Sequence, residues 1–464
     1  MSELSSKKYH FIGAGGIGMS GLAKLLLKNG AVVSGSDMER TAVTDSLCVL
    51  GADIHIGHAA ENFPDAVDVV VISAAIRPTN PELAEALSRG TKVFKYAEML
   101  GEMMNAYSGI AIAGTHGKST TTGWLSVTMD NAGKSPSFIV GADVAQLRDS
   151  SGAGSGQYFI AEACEYDRSF LNLHPEIAVI LNIEQDHLDY YTDIDDIIDA
   201  FVNFANGIKP GGTVVANGQD KNVALVLKRI NPDIKVQTFG WDWTCDVSAH
   251  NLQLVDGAYT FDIYYGTMLI GSVSISLPGE HNIMNCLAVA AAGIAAGLGR
   301  DEVVQSLGHF TGIDRRIMLK AKINDITILD DYAHHPTEIK ASLSAIRQKY
   351  SPSRLWCVFQ PHQYSRTRFL LDDFAESFKL ADITIVPEIY FVRDTEAAKK
   401  EVNAQILVDR IASSGSQAIF IDNFDGICDH LNQNVKPGDL VVTMGAGDIW
   451  KVADEYIYWL RTNS

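Results

Sequence analysis

The sequence predicts an α/β fold of three domains: an N-terminal Rossmann-like parallel sheet, a central P-loop-type α/β domain and a C-terminal Rossmann-like domain. Three observations carry this. Short apolar runs alternate with helical patterns along the whole chain, as βαβ units around parallel sheets require. Glycine-rich turns stand between a strand and a helix at two separate places. At roughly 100–200 residues per domain, 464 residues suffice for three cores.

The elements follow in order. Residues 1–107 carry the strand KKYHFIG, the helix GIGMSGLAKLLLKNG, the strands AVVSGSD and DVVVISAAI, and the helix NPELAEALSRG. A polar stretch from Asn105 to Ser108 marks a boundary. The pattern restarts in residues 108–313 with SGIAIAGTHGKSTTT, a strand running into a turn and a helix. The strands QYFIAEA and EIAVILNI come next. DVSAHNLQLVDGAYTFDIYYGTMLIGSVSISL then alternates as an antiparallel excursion, and GEHNIMNCLAVAAAGIAAGLG reads as a small-residue helix that packs closely on a sheet. Residues 314–464 restart once more, through ITILDD, RLWCVFQ, ADITIVPEI, QAIFID and DLVVTMGAGDI.

Composition excludes whole classes of function. With 37 Lys+Arg against 56 Asp+Glu, the formal charge is −19, the wrong sign for sequence-independent binding of DNA or RNA. No run approaches the roughly 18 apolar residues of a membrane span, and the opening MSELSSKKYHFIG has no apolar signal region, so a cytoplasmic protein is expected. The six cysteines are scattered with no CxxC pair, which suggests buried thiols rather than disulfides or a zinc cluster.

Two motifs carry chemistry. Gly13, Gly15 and Gly18 satisfy G-x-G-x-x-G between a strand and a helix, and Asp37 closes the next strand about 20 residues on. Such glycines let the backbone approach a diphosphate whose charge sits at the helix N-terminus. NAD and a UDP-sugar both fit, and glycines serving only close packing are the bland alternative. In the second motif, Gly114, Thr115, His116, Gly117, Lys118, Ser119 and Thr120 form a shortened G-x-x-G-K-S phosphate loop, with Ile112 where a longer motif has its first glycine. Amides cradle phosphates, Lys118 reaches the terminal ones and the Ser119 hydroxyl suits Mg²⁺, so ATP is the expected ligand. A hydride-transfer enzyme has no use for this second loop. Glu162 and His187 each follow a strand, where open parallel sheets place ligand contacts. The oxygen donors Ser119 and Glu162 suit Mg²⁺, whereas a histidine is more typical of Mn²⁺ or a second site. An imidazole capping a turn between Asp186 and Asp189 is the bland reading of His187.

FIGAGGIGMSGLA, AGTHGKSTTT, EACEYDRSF, NIEQDHLDYY, GEHNIMNCLAVAAA, DDYAHHPTEI, FQPHQYSRT and GAGDI occur in the order seen in the Mur ligases, and the chain resembles that family over essentially its whole length. The resemblance implies a central ATPase domain between a UDP-binding domain and an amino-acid-binding domain. It implies ligation of L-alanine to UDP-N-acetylmuramate through an acyl phosphate, with ATP consumed. Gly13, Gly15, Gly16, Ile17, Gly18, Ser36, Asp37, His58, Ser73 and Ala74 would then contact the UDP moiety. Gly114 to Thr120 would hold ATP, with Asn282 and Asn285 reading adenine through their amides, Asp331 beside the nucleotide, and Arg316, next to Arg315, on the transferring phosphoryl group. Ser119 and Glu162 would ligate one Mg²⁺ (or Mn²⁺) and His187 a second. Lys118, His334 and Arg366 would be catalytic, His334 as general base, while His334, His362 and Arg366 surround the alanine. His335, before Pro336, reads as a capping residue.

Departures from the family pattern are local. Cys164 stands where most relatives have Asp, and Gln363 where many alanine-adding members have Arg. The helix DIDDIIDAFVNFANGIK has no lysine before Lys209, unlike the branches that add later amino acids. The rival readings are a ligase that attaches a ready-made tripeptide to the same sugar nucleotide and, from another class, an NAD-dependent oxidoreductase. The expected partners are small molecules, with no nucleic acid and no membrane, and the chain acts as a monomer or homodimer.

Overall fold

The computed structural model describes residues 2–463, apart from residues 256, 393 and 395–397. Three sheets organise it. The first has β1 (Lys8–Ile12), β2 (Val32–Asp37), β3 (Asp53–Ile56), β4 (Val69–Ile72) and β5 (Lys92–Lys95), all parallel, in the order β3-β2-β1-β4-β5. The inner strands β1 and β4 are almost wholly buried and, apart from Lys8 and the His10 that pairs with Glu82, apolar or aromatic, because helices cover both faces, while the edge strands β3 and β5 are partly or fully exposed. Strand order reverses between β1 and β4, which opens a crevice at their C-terminal ends, and the first glycine loop occupies it.

The central sheet has ten strands: β6 (Ser108–Ala113), β7 (Ser137–Val144), β8 (Asp149–Gly152), β9 (Tyr158–Glu162), β10 (Ile177–Ile180), β11 (Thr213–Asn217), β12 (Lys235–Gly240), β13 (Val247–Val255), β14 (Ala258–Tyr265) and β15 (Met268–Ile275). Their order is β15-β14-β13-β12-β11-β10-β6-β9-β7-β8. The antiparallel excursion read from the sequence is the β13–β15 meander, and it continues the main sheet because β13 pairs in parallel with β12. The β7–β8 hairpin carries no comparable sequence pattern.

The helix Lys118–Asn131 is polar in sequence yet buried from Thr120 to Met129, between this sheet and the helix Glu280–Ala295. Its hydroxyls turn inward: Thr122 and Ser126 donate to the carbonyls four residues back, at 2.8 and 2.7 Å. The alanines of Glu280–Ala295 permit the close approach.

The third sheet has β16 (Met318–Ile323), β17 (Ile326–Asp331), β18 (Leu355–Phe359), β19 (Ile383–Val386), β20 (Ala418–Phe420) and β21 (Leu440–Met444), in the order β16-β17-β21-β18-β19-β20. Only β16 runs antiparallel among these described strands.

Contacts fix the three units against one another. The helix Ile17–Lys28 lies on β7 and β8, where Lys24 pairs with Asp149 at 2.7 Å and a Cβ on Gly21 would sit 3.2 Å from Ser151. The helix Pro336–Tyr350 meets the central domain through Tyr259, whose hydroxyl donates to Gln348 at 2.8 Å, and through Lys349, which donates to the Ser276 carbonyl at 3.1 Å. Among the described residues, no helix is long and apolar enough to cross a membrane.

Candidate active site

The second glycine loop leaves β6 with Gly114 at φ +146° and Gly117 at φ +85°, conformations that side chains rarely adopt. A Cβ on Gly117 would also lie 2.6 Å from the Asn285 amide oxygen. Asn182 clamps the loop from the end of β10, accepting from the His116 amide at 2.8 Å and donating to the His116 carbonyl at 3.0 Å. Lys118 opens the following helix and folds back onto the carbonyls of Gly114 and Thr115 and onto Glu165, 2.9 Å away. Burial disfavours its charge, but Glu165 overrides this and raises the lysine pKa. His116 lies between two carboxylates, 3.2 Å from Glu184 and 3.3 Å from Glu338. Burial opposes its imidazolium, yet those two partners push its pKa up to about 9.

Beside the loop lies a cavity of about 230 Å³ between the central and C-terminal domains, lined in part by His116, Asn282, Asn285, Arg316, Asp331 and Glu338. Three of these cavity-lining residues also have partners within the protein. Asn282 and Asn285 do not both present free amides: Asn282 donates to the Pro278 carbonyl at 2.7 Å, and Asn285 donates to the Asn282 oxygen at 3.1 Å. Asp331 faces its own backbone, accepting from the amides of Ile317 at 2.8 Å and Ala333 at 2.6 Å and from Ser342 at 3.2 Å. It therefore shapes the turn that carries Arg316, and burial pushes its carboxyl up to about 6.

A larger cleft of about 860 Å³ runs between all three domains and takes in Ile17, Lys118, Ser119, Glu162, His187, Arg316 and His334. Ser119 and Glu162 face each other across Gly141, where a Cβ would sit 3.3 Å from the hydroxyl and 3.0 Å from the carboxylate. The missing side chain leaves room for an ion between two oxygen donors, the chemistry Mg²⁺ prefers. His187, at φ +55°, directs Nε2 toward Glu165 at 3.6 Å and Asp186 at 3.8 Å.

Arg316 borders both the cleft and the smaller cavity and pairs with Glu338 at 3.4 Å. Its neighbour Arg315 is a staple, bonding Asp330 at 2.9 Å and the Gly445 carbonyl at 2.9 Å. His334 Nδ1 lies 3.0 Å from the Tyr332 carbonyl, which can only accept, so Nδ1 carries the hydrogen and Nε2 keeps its lone pair. Burial, aided by Arg366, pushes its pKa down to about 3 against the pull of Glu338 and Asp186.

Arg366 is committed rather than open. Expected around the amino acid, it makes a buried pair with Asp186 of the central domain at 3.0 Å and donates to His362 Nδ1 at 3.3 Å. His362 stacks on Tyr390. Gln363, buried at φ +72°, heads the helix Tyr364–Phe369 that carries Arg366. His335 caps Pro336–Tyr350 by accepting from the Thr337 amide, as its position before proline suggests.

The first glycine loop divides its work. Gly13, at φ +82°, and Ala14 donate to the Ser36 carbonyl at 2.9 Å. The Gly15 amide donates to Asp37 at 2.7 Å. Gly16 precedes the helix that Ile17 begins, and a Cβ on Gly18 would strike the Tyr96 ring at 2.6 Å. Ser73 packs 3.0 Å from the position of a Gly13 Cβ, with Ala74 exposed next to it. The Ser36 side chain is fully buried and donates to Glu82 at 2.8 Å, so it supports the loop from behind. His58 Nδ1 joins the same cluster, 2.8 Å from Ser36.

Three family models cover most of the chain in succession: the Mur ligase family catalytic domain at residues 8–108, the Mur ligase middle domain at 112–293, and the Mur ligase glutamate ligase domain at 315–447. The chain belongs to the Mur ligase family. It is 43% identical to a UDP-N-acetylmuramate–L-alanine ligase of Acetivibrio thermocellus, over 97% of this chain and 96% of that one. It is also 43% identical to the same ligase of Clostridium botulinum, over 97% and 98%. The crystal structure of the UDP-N-acetylmuramate–alanine ligase of Thermotoga maritima matches with a TM-score of 0.81 at 25% identity, covering 99% and 100%. A murein peptide ligase of Psychrobacter arcticus matches at 0.72 and 25%, covering 98% of each.

As a Mur ligase, the chain is an ATP-dependent, amide-forming enzyme that uses a divalent metal. Several of its site residues escaped sequence reading. Asn182, Glu165, Asp186, Glu184 and Glu338 each hold a residue that a motif did mark. Glu165 and Asp186 adjoin marked residues, and Glu338 stands one helical turn after His334, but an acidic residue in a loop or first turn is too common to signal on its own.

Proposed function

We propose that this Mur ligase joins L-alanine to the lactyl carboxylate of UDP-N-acetylmuramate, in the cytoplasm, as a step of peptidoglycan precursor synthesis. One observation carries the reading: the helix after the first glycine loop, the phosphate loop and the C-terminal Arg316 and His334 all open on one cleft. Residues 1–107 would hold the sugar nucleotide, 108–313 ATP and 314–464 the amino acid.

The lactyl carboxylate attacks the γ-phosphorus in line, and ADP leaves with the electron pair of the broken P–O bond. Lys118 swings from Glu165 to the β- and γ-phosphates, while Arg316 meets the transferring group from the opposite domain. Ser119 and Glu162 would hold one Mg²⁺ or Mn²⁺ and His187 a second, neutralising phosphate charge when bound. The neutral alanine amine then attacks the acyl carbonyl, the C–O bond breaks with its electron pair leaving on phosphate, and the departing phosphate takes up the proton the nitrogen sheds as the amide forms. The His334 Nε2 lone pair can accept from the amine and orient it, but a group with a pKa near 3 is a weak base, so the role of His334 shifts from proton removal to positioning. Fixed geometry of this kind can supply about 7–11 kcal/mol of barrier lowering.

The test is phosphate release from ATP with UDP-N-acetylmuramate and either L-alanine, glycine, L-serine or the tripeptide. Release that depends on L-alanine is expected, and it should vanish in Lys118→Ala. Release that responds to the tripeptide and not to L-alanine would overturn the assignment in favour of the recycling reaction.

A further inference from the structure

The seam between the central and C-terminal domains holds a group of side chains that the ligation chemistry does not use as a set. His116 from the phosphate loop, Glu184 after β10 and His335 at the head of Pro336–Tyr350 converge, with one donor atom from each lying within 4.8 Å of the others. Ligands about 2.0–2.1 Å from a tetrahedral zinc ion sit roughly 3.3 Å apart. The His116–Glu184 edge is already 3.2 Å and the Glu184–His335 edge 3.8 Å.

The supporting contacts match a metal site as well. A ligating imidazole needs an acceptor behind its other nitrogen to fix the ring and its tautomer. His116 turns Nε2 to Glu184 and has the Glu338 carboxylate 3.3 Å behind Nδ1. His335 has the Gln185 carbonyl 3.4 Å from Nε2, which places the hydrogen there, and its Nδ1 lone pair, 3.8 Å from Glu184, holds the Thr337 amide at 3.3 Å until an ion displaces that cap bond. Thr337 donates to Glu184 at 2.6 Å and holds it in place. Glu184 keeps more than a third of its side chain exposed, which gives an ion a way in.

We propose that His116, Glu184 and His335 form a Zn²⁺ site distinct from the phosphate-binding metal site, with a water as fourth ligand. Two nitrogens and one carboxylate oxygen favour Zn²⁺ over Mg²⁺, which takes oxygen donors. Binding displaces the proton that Glu184 and Glu338 hold on His116. Because the ligands come from both domains, the ion pins the seam shut and slows turnover, so micromolar-range zinc acts as an inhibitor whose effect is independent of which amino acid is ligated.

The test uses the full chain with Mg²⁺ in excess to occupy the phosphate-binding site. Zn²⁺ is titrated by calorimetry, and Co²⁺ is followed by its visible tetrahedral bands. His335→Asn removes a ligand but keeps a side chain that caps the helix, since Asn is among the preferred capping residues. Thermal melting confirms that the variant is folded. We expect one Zn²⁺ per chain, tetrahedral Co²⁺ bands and zinc inhibition of ATP turnover in the wild type. In His335→Asn, affinity falls by more than the about 10–100-fold that loss of a supporting partner costs, and inhibition falls with it. Absence of binding in the wild type, or equal binding and inhibition in both proteins, would overturn the proposal. Failure of the L-alanine assignment would leave this result untouched.

Discussion

Replacing Arg366 by Met isolates the contact that most directly locks the C-terminal domain onto the central one. The guanidinium reaches Asp186 through Nε at 3.1 Å and Nη2 at 3.0 Å, with the two side chains only 7% and 9% exposed. Met keeps the packing of the aliphatic stem but leaves the Asp186 carboxylate buried, with the His187 amide at 2.7 Å as its remaining close donor. Removing one partner of a buried pair costs about 3–5 kcal/mol. Because the partners sit on different domains, the cost falls on docking rather than on either core. At about 1.4 kcal/mol per tenfold, the lower bound shifts the closed–open equilibrium by more than a hundredfold.

Fluorophores on exposed positions of the two domains report the shift as a longer mean distance, and melting of the separate cores stays near the wild-type value. Asp186→Asn combined with Arg366→Met removes the stranded charge and should recover much of the closure. A single variant as closed as the wild type, or a double variant no more closed than the single, would refute the reasoning. The pair also sets a pH limit. Burial alone would raise the Asp186 carboxyl, but Arg366 and the nearby histidines hold it below its ordinary 3.8, so its contribution is present above that value and is lost as pH falls beneath it.

Other perturbations test neighbouring parts. Gly117→Ala puts a side chain at φ +85° and 2.6 Å from Asn285, a strain of about 1–3 kcal/mol, so ATP affinity measured by calorimetry should fall about fivefold or more with the fold intact. His116 has a raised pKa, so its contribution to the seam is full below 6.5 and is lost as pH rises through about 9. The same fluorescence distance should therefore lengthen over that window in the wild type, and His116→Gln should flatten the change. Trp124 is fully buried, stacks on Phe310 and donates to the Leu307 carbonyl at 3.0 Å. Trp124→Ala should cost about 3–5 kcal/mol in denaturant unfolding of the central domain.

The sequence by itself determined what depends on short range. A strand, a glycine turn and a helix follow from local periodicity and from backbone angles that only glycine tolerates readily, so both glycine loops were legible, as were the places of Lys118 and Ser119 at the head of a helix and of Glu162 at the end of a strand. Buried strands such as β4, β6, β10, β18 and β21 were legible because helices on both faces demand apolar runs, whereas the buried β7 and β11 were not read. Tertiary structure decided the partners. Nothing local to Arg366 says that it meets Asp186, 180 positions away in the chain, instead of standing free for a substrate. Nothing local to Ser36 says that Glu82 takes its hydroxyl, nor does the loop around His116 say that Glu184 and Glu338 hold it charged. These pairings arise because burying a polar group without a partner is costly, so each charge brought to the seams must find one among residues that only folding assembles.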